Sequence, residues 1–222
     1  MKAVRVRSFG GPEVLRVDDV PAPEPGAGHL VVSVKAIGVN PVEAYIRAGS
    51  YPRKPELPYV PGTDAAGVVE SAGAGTDGLR PGDRVYIYAT GGAYAEKVRV
   101  ERSRVFPLPA ALSFEQGAAL GVPYATAHRA LFHHGGAKRG ETVLIHGASG
   151  GAVMMKDLAI HGMSLWNMND AERAEVHADL GRGLADGSLK PAVGENFPLA
   201  EAAKAHEAVL STGTRGKIVL IP

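Results

Sequence analysis

Apolar and polar residues alternate with a two-residue period through the first half of the chain and with a helical period through much of the second. His29–Ile37 (HLVVSVKAI) puts Leu30, Val32 and Val34 on one face and Val31, Ser33 and Lys35 on the other, as a half-buried strand requires. Lys2–Val6 and Val14–Val17 flank Gly10-Gly11-Pro12 and predict a hairpin. Further strands are expected at Gly67–Ala72, Arg84–Tyr88 and Tyr94–Val100, with a turn at Arg80-Pro81-Gly82-Asp83 that carries Pro81 in its second position. Asn40–Gly49 reads instead as a short helix, since Pro41 suits a first helical position and Gly49 a C-terminal cap. Short strands at this spacing predict a compact, barrel-like domain.

Beyond residue 110 the period changes. Ser113, with Gln116 three residues on, caps a helix expected over Phe114–Phe132, where Tyr124, Ala127, His128 and Leu131 recur at helical spacing and Gly135-Gly136 is the stop. Thr142–Gly151 (TVLIHGASGG) then opens a dinucleotide-binding unit. Val143, Leu144 and Ile145 are a buried-strand run, and Gly147, Gly150 and Gly151 follow where a backbone approaches a pyrophosphate. An open α/β sheet needs several strand–helix–strand units of roughly 30 or more residues each. Only 71 residues follow Gly151 in this 222-residue chain. They read as a short strand at Met163–Trp166, then a helix capped by Asn169 with Glu172 and running to about Gly187. Val176, Leu180 and Leu184 form its apolar face, and Gly181 and Gly183 weaken it by about 1 kcal/mol each. A helix from Pro198 to a stop at Gly213 and a final strand, Lys217–Ile221, complete the pattern.

Composition narrows the function classes. A chain 45% hydrophobic and 21% charged is of globular type. A net charge of +1, from 24 basic and 23 acidic residues, gives no sign of a nucleic-acid partner. The N-terminus lacks an apolar signal core and no apolar run approaches a membrane span, so a cytoplasmic location without membrane partners is expected. With no cysteine, disulfides and thiolate zinc sites are excluded. The eight histidines form no convincing metal-binding pair, and Ser149 in GASGG is not a hydrolase elbow.

Several segments taken in order resemble the quinone oxidoreductase (zeta-crystallin-like) branch of the medium-chain dehydrogenase/reductase superfamily. They are MKAVRVRSFGGPEVL at the start, GVNPVEAYIRAGSYPRKPELPYVPGTDAAGVV at 38–69, RPGDRVY at 80–86, GGAYAE at 91–96, QGAALGVPYATAHRAL at 116–131, GETVLIHGASGG at 140–151, GSLKPAVGENFPLAEAAKAHE at 187–207 and the closing TRGKIVLIP. The resemblance implies an α+β chain: a GroES-like β-barrel catalytic domain (1–120 plus 196–222) with a truncated Rossmann-type α/β remnant (121–195). Where the family continues GASGG with Val-Gly and a long helix, this chain reads Ala152-Val153-Met154-Met155. Either Ala152–His161 is a shortened first helix and Met163–Trp166 the second strand, or the chain passes from the first strand of the sheet to its last, Ala159–Trp166. The spacing of IHGMSLW, the capped helix and GSLKP favours the second reading.

The resemblance also implies zinc-independent hydride transfer from NADPH to a quinone or related activated alkene carbonyl. Asn40 and Tyr45 lie where zinc-using relatives keep a cysteine, and Thr63-Asp64 where they carry a second ligand, a histidine. Asn40 either donates to a substrate carbonyl or serves a local turn. Tyr45 either stacks beside the nicotinamide or packs on the barrel. Tyr51 lines the quinone mouth or is a half-exposed loop aromatic. Tyr124 and Thr126 sit near the cofactor or serve helix packing. Ser149, Gly150 and Gly151 would cradle the pyrophosphate through backbone N–H groups. Trp166 contacts nicotinamide or packs at a strand end. Lys217 approaches a phosphate or is a solvated strand-start lysine. No metal is expected. Loss of the adenosine half of the site leaves a second reading, a non-enzymatic scaffold or binding module, and an unpartnered strand at 142–146 predicts a homodimer.

Overall fold

The computed structural model describes residues 1–88, 91–138, 141, 164–211, 213 and 215–222. The readings at Thr142–Gly151, Ala152–His161 and Met163, including Ser149, Gly150 and Gly151, lie outside the described residues.

Strands β1 (Lys2–Val6) and β2 (Leu15–Asp19) pair antiparallel around a single 3-10 turn at Pro12–Val14, as the glycine-proline punctuation predicts. The hub of the larger sheet is β3 (His29–Gly38), which pairs antiparallel with β4 (Asp64–Ala72), β6 (Lys97–Glu101) and β9 (Lys217–Ile221). Strand β5 (Arg84–Tyr88) bridges β4 to the short β7 (Val105–Pro107). Val31 of β3 is as buried as Val32, because the strand is covered on both faces; the clean one-sided alternation expected of it therefore fails at Val31. Leu30, Val32, Val34, Ile37, Val69, Val85, Tyr94 and Leu220 share the main core.

One strand had no sequence signal. Strand β8 (Val193–Pro198, VGENFP) runs parallel to β9 at the edge of the sheet and has no fully buried residue, so neither alternation nor an apolar run marks it. The helix expected over Phe114–Phe132 is instead three pieces: α2 (Phe114–Ala118), α3 (Gly121–His128) and a π-helical turn at Arg129–His134. The capping box at Ser113 and Gln116 forms as read. The break after Ala118 has both a local and a distant cause. Pro123 has no N–H to donate, and the Val122 N–H is taken by the Asp64 carboxylate, so a new helix N-terminus forms there.

Of the strand expected over Ala159–Trp166 only the end, from Ser164, lies among the described residues, and there Leu165–Asn167 is a single 3-10 turn. Asn169 caps α4 (Asp170–Ala185), its side-chain oxygen accepting from the Glu172 N–H at 2.9 Å. Val176, Leu180 and Leu184 are buried as predicted, but Arg173 and His177 share that face. Gly183 has a packing reason: a Cβ there would lie 2.7 Å from Leu189 Cγ. After a 3-10 turn at Leu199–Glu201, α5 (Ala202–Ala208) packs on the core through Ala202 and Ala205. Among the described residues no helix is long and apolar enough to cross a membrane.

Candidate active site

Three sequence-distant segments converge where β3 ends. Beyond β3 the chain enters α1 (Pro41–Arg47), with Asn40 as N-cap; β4 begins at Asp64; β9 begins at Lys217 and lies against the end of β3. Approach is close here, since a Cβ on Gly38 would lie 2.1 Å from the Ala118 carbonyl oxygen and 2.6 Å from Lys217 Cε. The glycine is what lets α2 and β9 reach the same point.

The result is a buried polar network. Lys217 Nζ lies 3.0 Å from Asp64 Oδ2 and also donates to Asn40 Oδ1. Both hydrogens of the Asn40 amide are used, one on Asp64 Oδ2 at 3.0 Å and one on Thr63 Oγ1 at 3.2 Å. Asp64, fully buried, also accepts the Val122 N–H at 2.9 and 3.1 Å. Beside it stands a second carboxylate, Glu43, at the third position of α1. Its Oε1 accepts from Thr63 N and Oγ1, and its Oε2 from Asn40 N and the Tyr94 hydroxyl, at 2.9–3.0 Å. Burial pushes the Glu43 carboxyl above its ordinary range, opposed by the Asn40 N–H, the Lys217 charge and the Tyr94 hydroxyl. Tyr94 gives its proton to Glu43, so the imidazole of His206, 3.0 Å away, must donate to it through Nε2.

His206 is fully buried, and burial lowers its pKa to about 3; His177, stacked on Phe106 at 3.7 Å, is lowered to about 3 for the same reason. Both histidines protonate far more readily in the unfolded chain, near the ordinary value of 6.5. Their neutral-state stabilisation is therefore complete above pH 6.5 and is lost progressively as pH falls toward 3. The urea midpoint should decline steadily below that upper pH, and His206→Gln should flatten the decline; a midpoint that stays level on acidification contradicts this.

In front of the network lie two adjoining cavities of about 250 and 280 Å³ that share Thr63 and Trp166. The first is walled by Tyr51, Tyr88, Val122, Thr126 and Leu165, the second by Ile46, Tyr59, Val60 and Pro61. The Trp166 indole N–H donates to the Tyr51 hydroxyl at 3.0 Å, and the Arg53 guanidinium sits 5.1 Å from the Trp166 ring centroid. Tyr51 accepts that bond, and its own O–H, with no acceptor among the described residues, can donate into the first cavity.

The structure therefore brings together Tyr51, Thr126 and Trp166 as cavity walls, with Asn40 and Lys217 behind Thr63. Lys217, for which a solvated position was the favoured reading, is 8% exposed and ion-paired. Tyr45 points outward at 47% exposure and lines neither cavity. Tyr124 packs beside α4 and lines a separate cleft with His128 and Leu189. Glu43, Tyr94 and His206 were missed; Asn40-Pro41-Val42-Glu43 has the spacing of a capping box, but only the fold shows that the box is buried under the site.

A barrel-like β domain whose cavity opens onto a helical region is the architecture of the alcohol dehydrogenase type. Residues 26–110 match the alcohol dehydrogenase GroES-like domain, and residues 118–220 match a family described as zinc-binding dehydrogenase. The chain belongs to the quinone oxidoreductase family of the medium-chain dehydrogenase/reductase superfamily. It is 34% identical to a rat quinone oxidoreductase over an alignment that takes in all of this chain and 98% of the relative. That alignment is 321 positions long against 222 residues here, so at least 99 of its positions have no counterpart in this chain. A mouse quinone oxidoreductase is 54% identical over 153 residues, which are 68% of this chain and 46% of the relative; in that match the chain spans about half of the relative's length. The solved structure of a mycobacterial protein in complex with NADPH superposes with a TM-score of 0.86 at 26% identity, covering 100% of both chains.

Proposed function

We propose that this chain is an NADPH-dependent reductase of quinones and related activated alkene carbonyls that works without zinc. The observation that carries the reading is the first cavity, where Tyr51, Thr63, Thr126 and Trp166 meet in front of a buried polar network. The apolar Val122 and Leu165 walls suit a planar ring, and the Thr126 hydroxyl, which has no hydrogen bond among the described residues, suits a carboxamide. These residues fit the nicotinamide half of NADPH, which supplies the hydride when bound. The residues proposed for its pyrophosphate, Ser149, Gly150 and Gly151, are carried by the family resemblance alone.

The chain's own groups bind, orient and polarise. Tyr51 directs its free hydroxyl hydrogen toward the substrate carbonyl oxygen, and Trp166 fixes that hydroxyl's orientation. Asn40 positions Thr63 and Asp64, since its amide hydrogens are already engaged. A metal-free site is supported by Lys217: its ammonium already sits 3.0 Å from Asp64, where a divalent cation would be repelled. Tyr51→Phe should lower kcat/KM for a naphthoquinone about tenfold, the value of one hydrogen bond to developing charge, with the melting temperature unchanged. Unchanged kcat/KM would remove Tyr51 from the mechanism.

Residues 1–120 with 196–222 make the catalytic domain in this reading and 121–195 the shortened nucleotide-binding part. A homodimer formed through the 142–166 region completes it, for which light scattering should give twice the chain mass at tens of micromolar; the monomer mass contradicts it. One observation favours a second reading, a binding module without hydride transfer: the 99 or more aligned positions of the rat relative that this chain lacks.

A further inference from the structure

Two arginines far apart in sequence both line the first cavity, and both act on the Tyr88 hydroxyl. Arg104 ends the 3-10 turn Arg102–Arg104 that follows β6, and Arg173 stands in the first turn of α4. The Arg104 guanidinium lies 5.8 Å from the centroid of the Tyr88 ring, which forms the floor between them. Its recorded ion pair among the described residues is through Nε, 3.3 Å from Glu101, whose side chain is 55% exposed. Arg173 is 5% exposed; it pairs with Asp170, whose side chain is 82% exposed, and reaches the Met168 carbonyl at 3.3 Å. Its buried Nε has no acceptor among the described residues.

The charge balance of the cavity follows from these partners. Glu101 and Asp170 stand on the solvent side, where water and salt screen them. Asp64, the other acid near Tyr88, is already neutralised by Lys217. Beyond Trp166 the second cavity is lined by Arg53 and Lys54, and by Glu43, whose carboxylate is taken up by four hydrogen bonds. The inner wall is thus lined by two guanidinium groups whose carboxylate partners lie toward solvent. Guanidinium groups favour planar oxyanions that accept two parallel hydrogen bonds. With Val122 and Leu165 taken up by the nicotinamide, the remaining apolar walls, Val42 and Met168, suit a ring or alkene body.

We propose that Arg104 and Arg173 form an oxyanion subsite that selects substrates carrying a carboxylate on the ring or alkene to be reduced. This rests on the reading of the first cavity as the place where nicotinamide and substrate meet, and it narrows the substrate class from neutral quinones to carboxylated ones. Arg104 is the specificity-determining residue; Arg173 supports it from behind.

The test is binding, not turnover, so that loss of hydride transfer and loss of this preference are read separately. The full chain is titrated with a naphthoquinone carboxylate and with the neutral naphthoquinone, following Trp166 fluorescence and calorimetric heat. The carboxylate should bind at least about tenfold more tightly, as one charge-assisted hydrogen bond in a screened-off site warrants. Arg104→Gln should bring the two affinities together without changing the melting temperature, since its ion-pair partner is exposed, and Arg104→Lys should keep part of the preference. Equal affinities in the unmodified chain overturn the proposal. So does a preference that survives in Arg104→Gln. If the preference is present but NADPH is never oxidised, the oxyanion subsite stands and the reductase reading fails.

Discussion

Asp64→Ala is expected to lower the unfolding free energy by about 3–5 kcal/mol, the scale for a buried ion pair broken from one side. Lys217 Nζ, on a side chain only 7% exposed, would lose its counter-charge, and Asn40 would lose the acceptor of one amide hydrogen. The Val122 N–H at the start of α3 would lose its acceptor as well, so the break between α2 and α3 would no longer be held. For a chain of this size about 1 kcal/mol corresponds to roughly 2–4 °C in melting temperature, so a fall of at least about 6 °C is expected by calorimetry. Asp64→Asn keeps the volume and should lose most of the same stability, because an amide cannot neutralise Lys217. Adding Lys217→Met to Asp64→Asn should recover part of it, since the uncompensated charge is then gone. If Asp64→Asn alone melts with the unmodified chain, the ion pair is not what joins β4 to β9.

Glu43→Ala should be the second most damaging change. Its carboxylate accepts four hydrogen bonds, from Asn40 N, Thr63 N, Thr63 Oγ1 and Tyr94 Oη. Removing it leaves buried donors on α1, on the loop before β4 and on Tyr94 without an acceptor, each costing about 1–3 kcal/mol. A loss of at least about 3 kcal/mol is expected. Glu43→Gln tests the assignment more finely. One amide oxygen can still accept, but the NH2 group would face N–H and O–H donors, so a partial loss is expected. Because Glu43 holds both Asn40 and Thr63, the same variants should weaken binding in the cavity in front of them. Denaturant unfolding that shows Glu43→Gln to be as stable as the unmodified chain would mean that the buried carboxylate does not organise this corner.

Much of this architecture is legible from sequence where local chemistry decides it. The Asn40-Pro41 helix start, the Ser113–Gln116 box and the Asn169 cap all appear where their residues sit. So do the hairpin around Gly10-Gly11-Pro12 and the strand at Lys217–Ile221. What sequence reading misses depends on distant partners. Strand β8 exists because β9 offers it an edge, not because VGENFP favours a strand. The helix expected over Phe114–Phe132 is split by Asp64, a residue more than fifty positions earlier. Lys217 looks like a solvated lysine because its partners, Asn40 and Asp64, lie 177 and 153 residues away. The same holds for the candidate site. Tyr51, Thr126 and Trp166 are legible through the family resemblance, whereas Glu43, His206, Arg104 and Arg173 become visible only when β3, β4, α4 and α5 are in place.

Although shorter than the rat relative it aligns with end to end, this chain is expected to bind NADPH in front of the Asn40–Asp64–Lys217 network and to deliver its hydride to a quinone. Titration of the full chain with NADPH, following Trp166 fluorescence, and then addition of a naphthoquinone with loss of the cofactor's near-ultraviolet absorbance, tests it most directly. The account predicts saturable micromolar binding and quinone-dependent oxidation of NADPH that persists in the presence of a zinc chelator. Absence of binding at millimolar NADPH would contradict it, and would leave the fold as a binding module.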